Sequence, residues 1–127
     1  QLRRLGFAYD WAREVSTFTG LDTDSRNIYL TDDRGNVLAF DLRTGASVWK
    51  QEQLRARRLN APRYMDGMVA VGDFEGYVHW LSSDDGHFVA RYRLGSGAVK
   101  SQALADSDKL YVSNQSGNLA ALQLIKN

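Results

Sequence analysis

The sequence predicts an all-β fold, and three observations carry that prediction. The 127-residue chain repeats itself with a period of 41 residues. Each copy holds short runs of branched and aromatic residues, the composition favoured in strands. Polar turns ending in glycine separate those runs. The chain has 11 glycines but one proline, Pro62. Proline removes a donor from a strand ladder, so its scarcity suits paired strands, and glycine suits turns that need positive φ.

Gly35, Gly76 and Gly117 are spaced by 41 residues, as are Gly45 and Gly86. Around them the chain aligns with itself without gaps. The copies read NIYLTDDRGNVLAFDLRTGASVWK from Asn27, MVAVGDFEGYVHWLSSDDGHFVAR from Met68 and KLYVSNQSGNLAALQL from Lys109. The first two share Asp32/Asp73, Val37/Val78 and Val48/Val89. The first and third share Tyr29/Tyr111, Asn36/Asn118 and Ala39/Ala121.

Taken in order, each copy breaks into the same pieces. A lead-in comes first, at Thr19–Leu21, Asn60–Pro62 or Ser101–Ala103. A polar turn follows, then an apolar run at Ile28–Leu30, Met68–Val71 or Leu110–Val112. Next is a polar loop closed by glycine, the signature of a hairpin whose last loop residue is left-handed. A second apolar run spans Val37–Phe40, Val78–Leu81 or Leu119–Leu122. The loops ending at Gly45 and Gly86 lead to final strands at Ala46–Lys50 and His87–Leu94. Four short antiparallel strands in about 41 residues make a propeller blade. Continuous rather than alternating apolar runs fit strands covered on both faces. Gln51 to Arg58 reads as a loop. The expected fold is therefore a single partial β-propeller over 1–127, with about three blades at 17–51, 58–94 and 99–125, the last incomplete.

The ends read as complementary. Residues 1–16 are expected to supply a stray outer strand, with Asp10–Val15 as the strand and Trp11 in the role of Trp49, while 1–9 fit no repeat. The third copy lacks its outermost strand. Residues 10–16 are therefore expected to pair with 118–124, in the same chain or in a strand-swapped homo-oligomer. Such pairing covers an exposed edge, and swapping is a low-cost route to it.

Composition narrows the function. Sixteen Lys and Arg against fifteen Asp and Glu leave a net charge of +1, which argues against a nucleic-acid partner bound through phosphate neutralisation. Hydrophobic residues at 43% and aromatics at 11% argue against disorder. No apolar run is long enough to span a bilayer as a helix, and no N-terminal signal pattern is present. Without cysteine, thiol nucleophiles and cysteine-ligated metals are excluded.

Candidate chemical groups each meet a simpler reading. His79, beside Trp80, reads as a hydrogen-bonded histidine packed between blades, and His87 as solvated. The acidic groups Asp32-Asp33, Asp73-Glu75 and Asp84-Asp85 recur at repeat positions, which turn chemistry explains. Tyr29, Trp49, Trp80 and Tyr111 read as inter-blade packing. No catalytic, cofactor-binding or metal-ligating residue is assigned, and no cofactor is expected. The segment Leu54-Arg55-Ala56-Arg57-Arg58-Leu59 is the charge cluster of interest. Leu54, Arg55, Arg57 and Arg58 are candidate partner-binding residues, since arginine is enriched in interfaces; the competing reading is a solvated loop whose leucines anchor it to the blades.

The turn pattern resembles the PQQ-like repeat family, with Asp41–Gly45 and Trp49 supplying its D-x-x-x-G turn and terminal Trp. The second copy departs from that pattern, having Ser82 and Ala90 at those places. Within the class, VGDFEGYVHWLSSDDGHFVAR (Val71–Arg91), RRLNAPRYMDGMVAVGD before it and the final LYVSNQSGNLAALQL resemble late, C-terminal blades of the BamB family of outer-membrane protein assembly lipoproteins. The resemblance covers roughly residues 11–125. It implies an eight-bladed propeller in the periplasm, associated with the outer membrane through an N-terminal lipid of the parent protein. It also implies protein partners, the periplasmic domains of the barrel-assembly protein, and no enzymatic activity. The family's main partner-holding loops lie upstream of the matched part, so no such residue carries over, and the chain is expected to start within its parent. The second class weighed is a fragment of a PQQ-dependent quinoprotein dehydrogenase, whose pocket would need a metal and a catalytic carboxylate.

Overall fold

The computed structural model describes residues 4–16 and 18–125. All secondary structure among them is β, in three antiparallel sheets. The first blade is β1 (Phe18–Thr23), β2 (Asn27–Asp32), β3 (Val37–Asp41) and β4 (Ser47–Gln51), in that spatial order. The second is β5 (Arg63–Met65), β6 (Met68–Gly72), β7 (Tyr77–Ser82) and β8 (Phe88–Arg93). The third holds β9 (Leu104–Asp106), β10 (Lys109–Ser113) and β11 (Leu119–Leu122). The architecture is a partial all-β propeller.

The recurring acidic or amide residue at each β2–β3-type turn builds that turn. Asp32 Oδ1 accepts from Arg34 N at 3.0 Å and Asn36 N at 2.9 Å. Asp73 Oδ1 accepts from Glu75 N and Tyr77 N at 2.9 and 3.0 Å. Asn114 Oδ1 accepts from Ser116 N and Asn118 N at 3.1 and 2.9 Å. One short side-chain oxygen thus satisfies two backbone donors in each copy, which is why Asp or Asn recurs there.

The cores lie between blades. Tyr29, Val37, Ala39 and Trp49 of the first blade pack with Val69, Val71 and Leu81 of the second. Val78 and Trp80 of the second pack with Val99, Ala103, Leu110 and Val112 of the third. Strands β6 and β7 are buried on both faces over most of their length, as the continuous apolar runs predict. Strands β10 and β11 instead alternate, because blade packing covers only one of their faces.

The innermost strands begin later than the sequence suggests in two blades. Asn60–Pro62 and Ser101–Ala103 are not strands; pairing starts at Arg63 and Leu104. Pro62 has no N–H to offer a ladder. Asn60 instead joins all three blades. Its N and Oδ1 pair with Gly72 O and N at 3.0 and 2.7 Å, its carbonyl accepts from Thr31 Oγ1 at 2.8 Å, and its Nδ2 donates to Ser101 O at 3.0 Å.

The expected strand at 10–16 is also corrected: its described residues are not in a strand and do not pair with 118–124 of the same chain. Side chains hold the segment on the first blade instead. Trp11 Nε1 donates to Leu42 O and Arg13 Nη1 to Gly45 O, both at 2.9 Å. The Arg13 guanidinium also sits 4.9 Å from the centre of the Phe40 ring. Of residues 1–9, the first three lie outside the described residues.

Candidate functional site

The candidate site is the loop between β4 and β5. Leu54 and Leu59 are both buried, in the core shared by the first two blades. Leu54 therefore anchors the loop and offers no surface to a partner, which corrects its place among the candidate contacts. The backbone is pinned from both sides. Ala56 N donates to Arg34 O at 3.1 Å in the first blade's turn, and Phe74 N of the second blade's turn donates to Arg57 O at 3.0 Å. A Cβ on Gly35 would lie 2.6 Å from Leu54 O, so only glycine lets this loop approach that turn. Ala56 and Arg58 have φ of 66° and 54°, an uncommon conformation for residues with a side chain, held by these contacts.

The three arginines fall into two roles. Arg57 turns inward, and its Nη1 lies 3.0 Å from Asp73 Oδ2 and 3.6 Å from Glu75 Oε1. Asp73 is fully buried and also meets His79 Nε2 at 2.8 Å. His79 is itself buried, between Tyr77 and Phe88. Burial pushes the Asp73 carboxyl up. Hydrogen bonds from His79, the Tyr77 backbone, Arg57 and the Glu75 backbone outweigh that and hold it below its ordinary value. The Arg57–Asp73–His79 cluster thus rivets the loop to the second blade, at the edge of a cleft of about 330 Å³ that Phe88 and Arg91 also line.

Arg55 and Arg58 point to solvent. Arg58 lines one shallow cleft with Phe74, Lys100 and Gln115. Phe74 is 43% exposed. It stands at the repeat position held by Asp33 and Gln115 in the other copies, so an aromatic in a polar turn position was the available signal for it. The arrangement is a cationic ledge beside an exposed ring. Of the recurring aromatics, Tyr29, Trp49 and Trp80 are buried between blades, while Tyr111 is 36% exposed.

Tryptophan latches complete the picture. Trp49 Nε1 donates to Ser83 O at 2.9 Å, and a Cβ on Gly86 would come within 2.5 Å of its ring. Trp11 repeats this on the first blade, with Leu42 O and Gly45 as the partners at the same distances. Blades of four antiparallel strands, Asx turns and a Trp seated on the next blade's glycine turn define a β-propeller repeat.

The family model described as "Outer membrane protein assembly factor BamB" matches residues 6–51. Outer membrane protein assembly factor BamB of Alkalilimnicola ehrlichii is 38% identical over 116 residues, 91% of this chain and 30% of that protein. The Bordetella pertussis protein of the same name is 42% identical over 113 residues, 89% of this chain and 29% of that protein. The crystal structure of BamB from Moraxella catarrhalis superposes with a TM-score of 0.76 at 28% identity, covering 82% of this chain and 30% of that one. A quinohemoprotein alcohol dehydrogenase from Pseudomonas putida has a TM-score of 0.72 over 91% of this chain and 20% of its own, at 17% identity, a likeness of fold alone. The chain is similar to BamB proteins over about nine-tenths of its own length, and it spans about 30% of the length of those relatives.

Proposed function

We propose that this chain is a propeller portion of an outer-membrane protein assembly factor, and that it acts as a non-catalytic scaffold. The observation that carries the reading is 38–42% identity to BamB proteins over about nine-tenths of the chain. Its place is the periplasmic face of the outer membrane, reached through a lipid on the parent protein. Its partners are the periplasmic domains of the barrel-assembly protein.

Within this reading, Arg55 and Arg58 are the partner-contacting side chains, with Phe74 beside them. Arg57 and Leu54 hold the loop in shape. Exposed arginines on a rigid loop lose little freedom on binding, which favours recognition. The purified chain should bind the periplasmic domains of the barrel-assembly protein in a surface plasmon resonance assay. The double change Arg55→Glu with Arg58→Glu should weaken that binding about tenfold or more, since it reverses two charges at the rim. No binding by the unaltered chain overturns the scaffold reading, and unchanged binding by the double variant removes the loop from the contact. Stoichiometric uptake of the quinone with calcium, followed by absorption spectroscopy, would favour the dehydrogenase class instead.

A further inference from the structure

We propose that the cleft of about 330 Å³ between the first two blades binds a carboxylate carried on a small apolar body. One wall is the loop between β4 and β5, with Gln53, Leu54 and Arg57. The other is β7 and β8, with His79, Phe88, Val89 and Arg91. Both walls belong to blades with all four strands in place. The volume falls at the lower end of the range for small-ligand sites, about 300–1,000 Å³.

Charge sets the sign of the ligand. Asp73, the buried acid behind the cleft, has both oxygens taken: Oδ1 by the Glu75 and Tyr77 backbone, Oδ2 by Arg57 and His79. Arg57 also lies 3.6 Å from Glu75 Oε1. Arg91 is different. Its guanidinium sits 5.0 Å from the centre of the Tyr77 ring and, among the described residues, in no ion pair. Arg93 stands 5.2 Å from the same ring centre, so the two cations repel each other. A carboxylate on Arg91 offsets that repulsion, and a guanidinium fork takes a carboxylate through two parallel hydrogen bonds. On the facing wall, Gln53 uses its backbone N on Gln51 Oε1 at 3.0 Å. Its side-chain amide has no hydrogen bond among the described residues and is a second free donor.

The apolar part follows from the strand geometry. In β8, Phe88 pairs with Leu81 and Ala90 with Trp80, which leaves Val89 as the extra residue of a bulge. A bulge re-aims a side chain, and Val89 lines the cleft while 48% exposed. Phe88 stands edge-on to His79, and Leu54 is buried beside them. His79 donates from Nε2 to the ionised Asp73, so its Nδ1 carries a lone pair, unpartnered among the described residues. That favours a ligand with an N–H or O–H near its carboxylate. The end of a polypeptide chain and a free organic acid share this chemistry. The site is separate from Arg55, Arg58 and Phe74 and does not depend on the outer-membrane reading.

The probes are isocaproate and N-acetyl-leucine, with N-acetyl-leucinamide as the uncharged control, titrated into the protein and followed by saturation-transfer difference NMR. The acids should bind, and the amide should bind about tenfold or more weakly. A preference for N-acetyl-leucine supports the site and makes the source a polypeptide end; a preference for isocaproate supports it and makes the source a free acid. Arg91→Gln, at an exposed side chain, should weaken binding about tenfold or more. Val89→Trp, which fills the cleft, should weaken it as much. Lys109→Gln, on β10, should leave it unchanged. Far-ultraviolet dichroism should be the same for all three variants. No binding of either acid, equal binding of the amide, or full binding by either cleft variant overturns the proposal.

Discussion

The two blade interfaces solve the same packing problem with the same pair of residues in opposite places. In the first blade Ala39 on β3 faces Trp49 on β4. In the second, at the repeat-equivalent positions, Trp80 on β7 faces Ala90 on β8. The large ring has moved one strand inward and the small residue one strand outward, so the volume delivered to each interface is conserved. What changes is the polar end of the ring. From the outer strand, Trp49 reaches the next blade's turn, donates to Ser83 O and lies against Gly86. From the inner strand, Trp80 fills the second interface, but its buried Nε1 has no hydrogen-bond partner among the described residues. Filling and latching are separable properties of one side chain, and strand position decides whether a tryptophan does both.

The largest break in this comparison comes from truncation. Trp49→Ala should cost about 3–5 kcal/mol in urea unfolding, because it opens a cavity between the first two blades as well as removing the latch. Gly86→Ala should come next, at about 2–3 kcal/mol. Its φ is +79° and the new methyl would overlap the Trp49 ring. Gly67→Ala, with φ of +80° but nothing within 4 Å, isolates the backbone strain and should cost about 1 kcal/mol.

Charge distinguishes the interfaces in a third way, since the Arg57–Asp73–His79 cluster rivets the loop that crosses the first one. The Asp73 carboxyl titrates below its ordinary 3.8, so its contribution is fully present above that pH and is lost as pH falls through the lower folded value. Acid unfolding followed by fluorescence should therefore steepen below pH 3.8. Asp73→Asn should flatten that limb and lower stability at neutral pH by about 2 kcal/mol. The smallest effect separates latching from filling. Trp49→Phe should cost about 1–2 kcal/mol, whereas Trp80→Phe should cost less than about 1 kcal/mol, since it also deletes an unsatisfied donor. Equal losses in the two variants would show that the Trp49 hydrogen bond adds nothing.

Much of the fold was legible because blade turns are local. Asp32, Asp73 and Asn114 each close a turn within four residues, so their recurrence announced both the turn and the period. The role of Trp11 was legible through its likeness to Trp49, although the strand expected around it is not formed. Ala90 read only as a departure from the family pattern, because its explanation sits on the neighbouring strand, at Trp80. The candidate loop was legible as a charge cluster. Its division into an inward Arg57 and outward Arg55 and Arg58 was not, since the partner that turns Arg57 inward is Asp73, 16 residues away.

The amino-acid sequence by itself determined the repeat, the strands, the turns and the kinship, all of which rest on interactions spanning a few residues or on self-similarity. Tertiary structure alone decided the contacts between blades. Asn60 joins Thr31, Gly72 and Ser101, the last of them 41 residues away. Trp11 is seated on a blade 31 residues further on, without a strand forming around it. Those contacts depend on where separate sheets come to rest against one another. Close packing admits one arrangement of large and small side chains at each interface, and no local pattern states which strand will supply the large one.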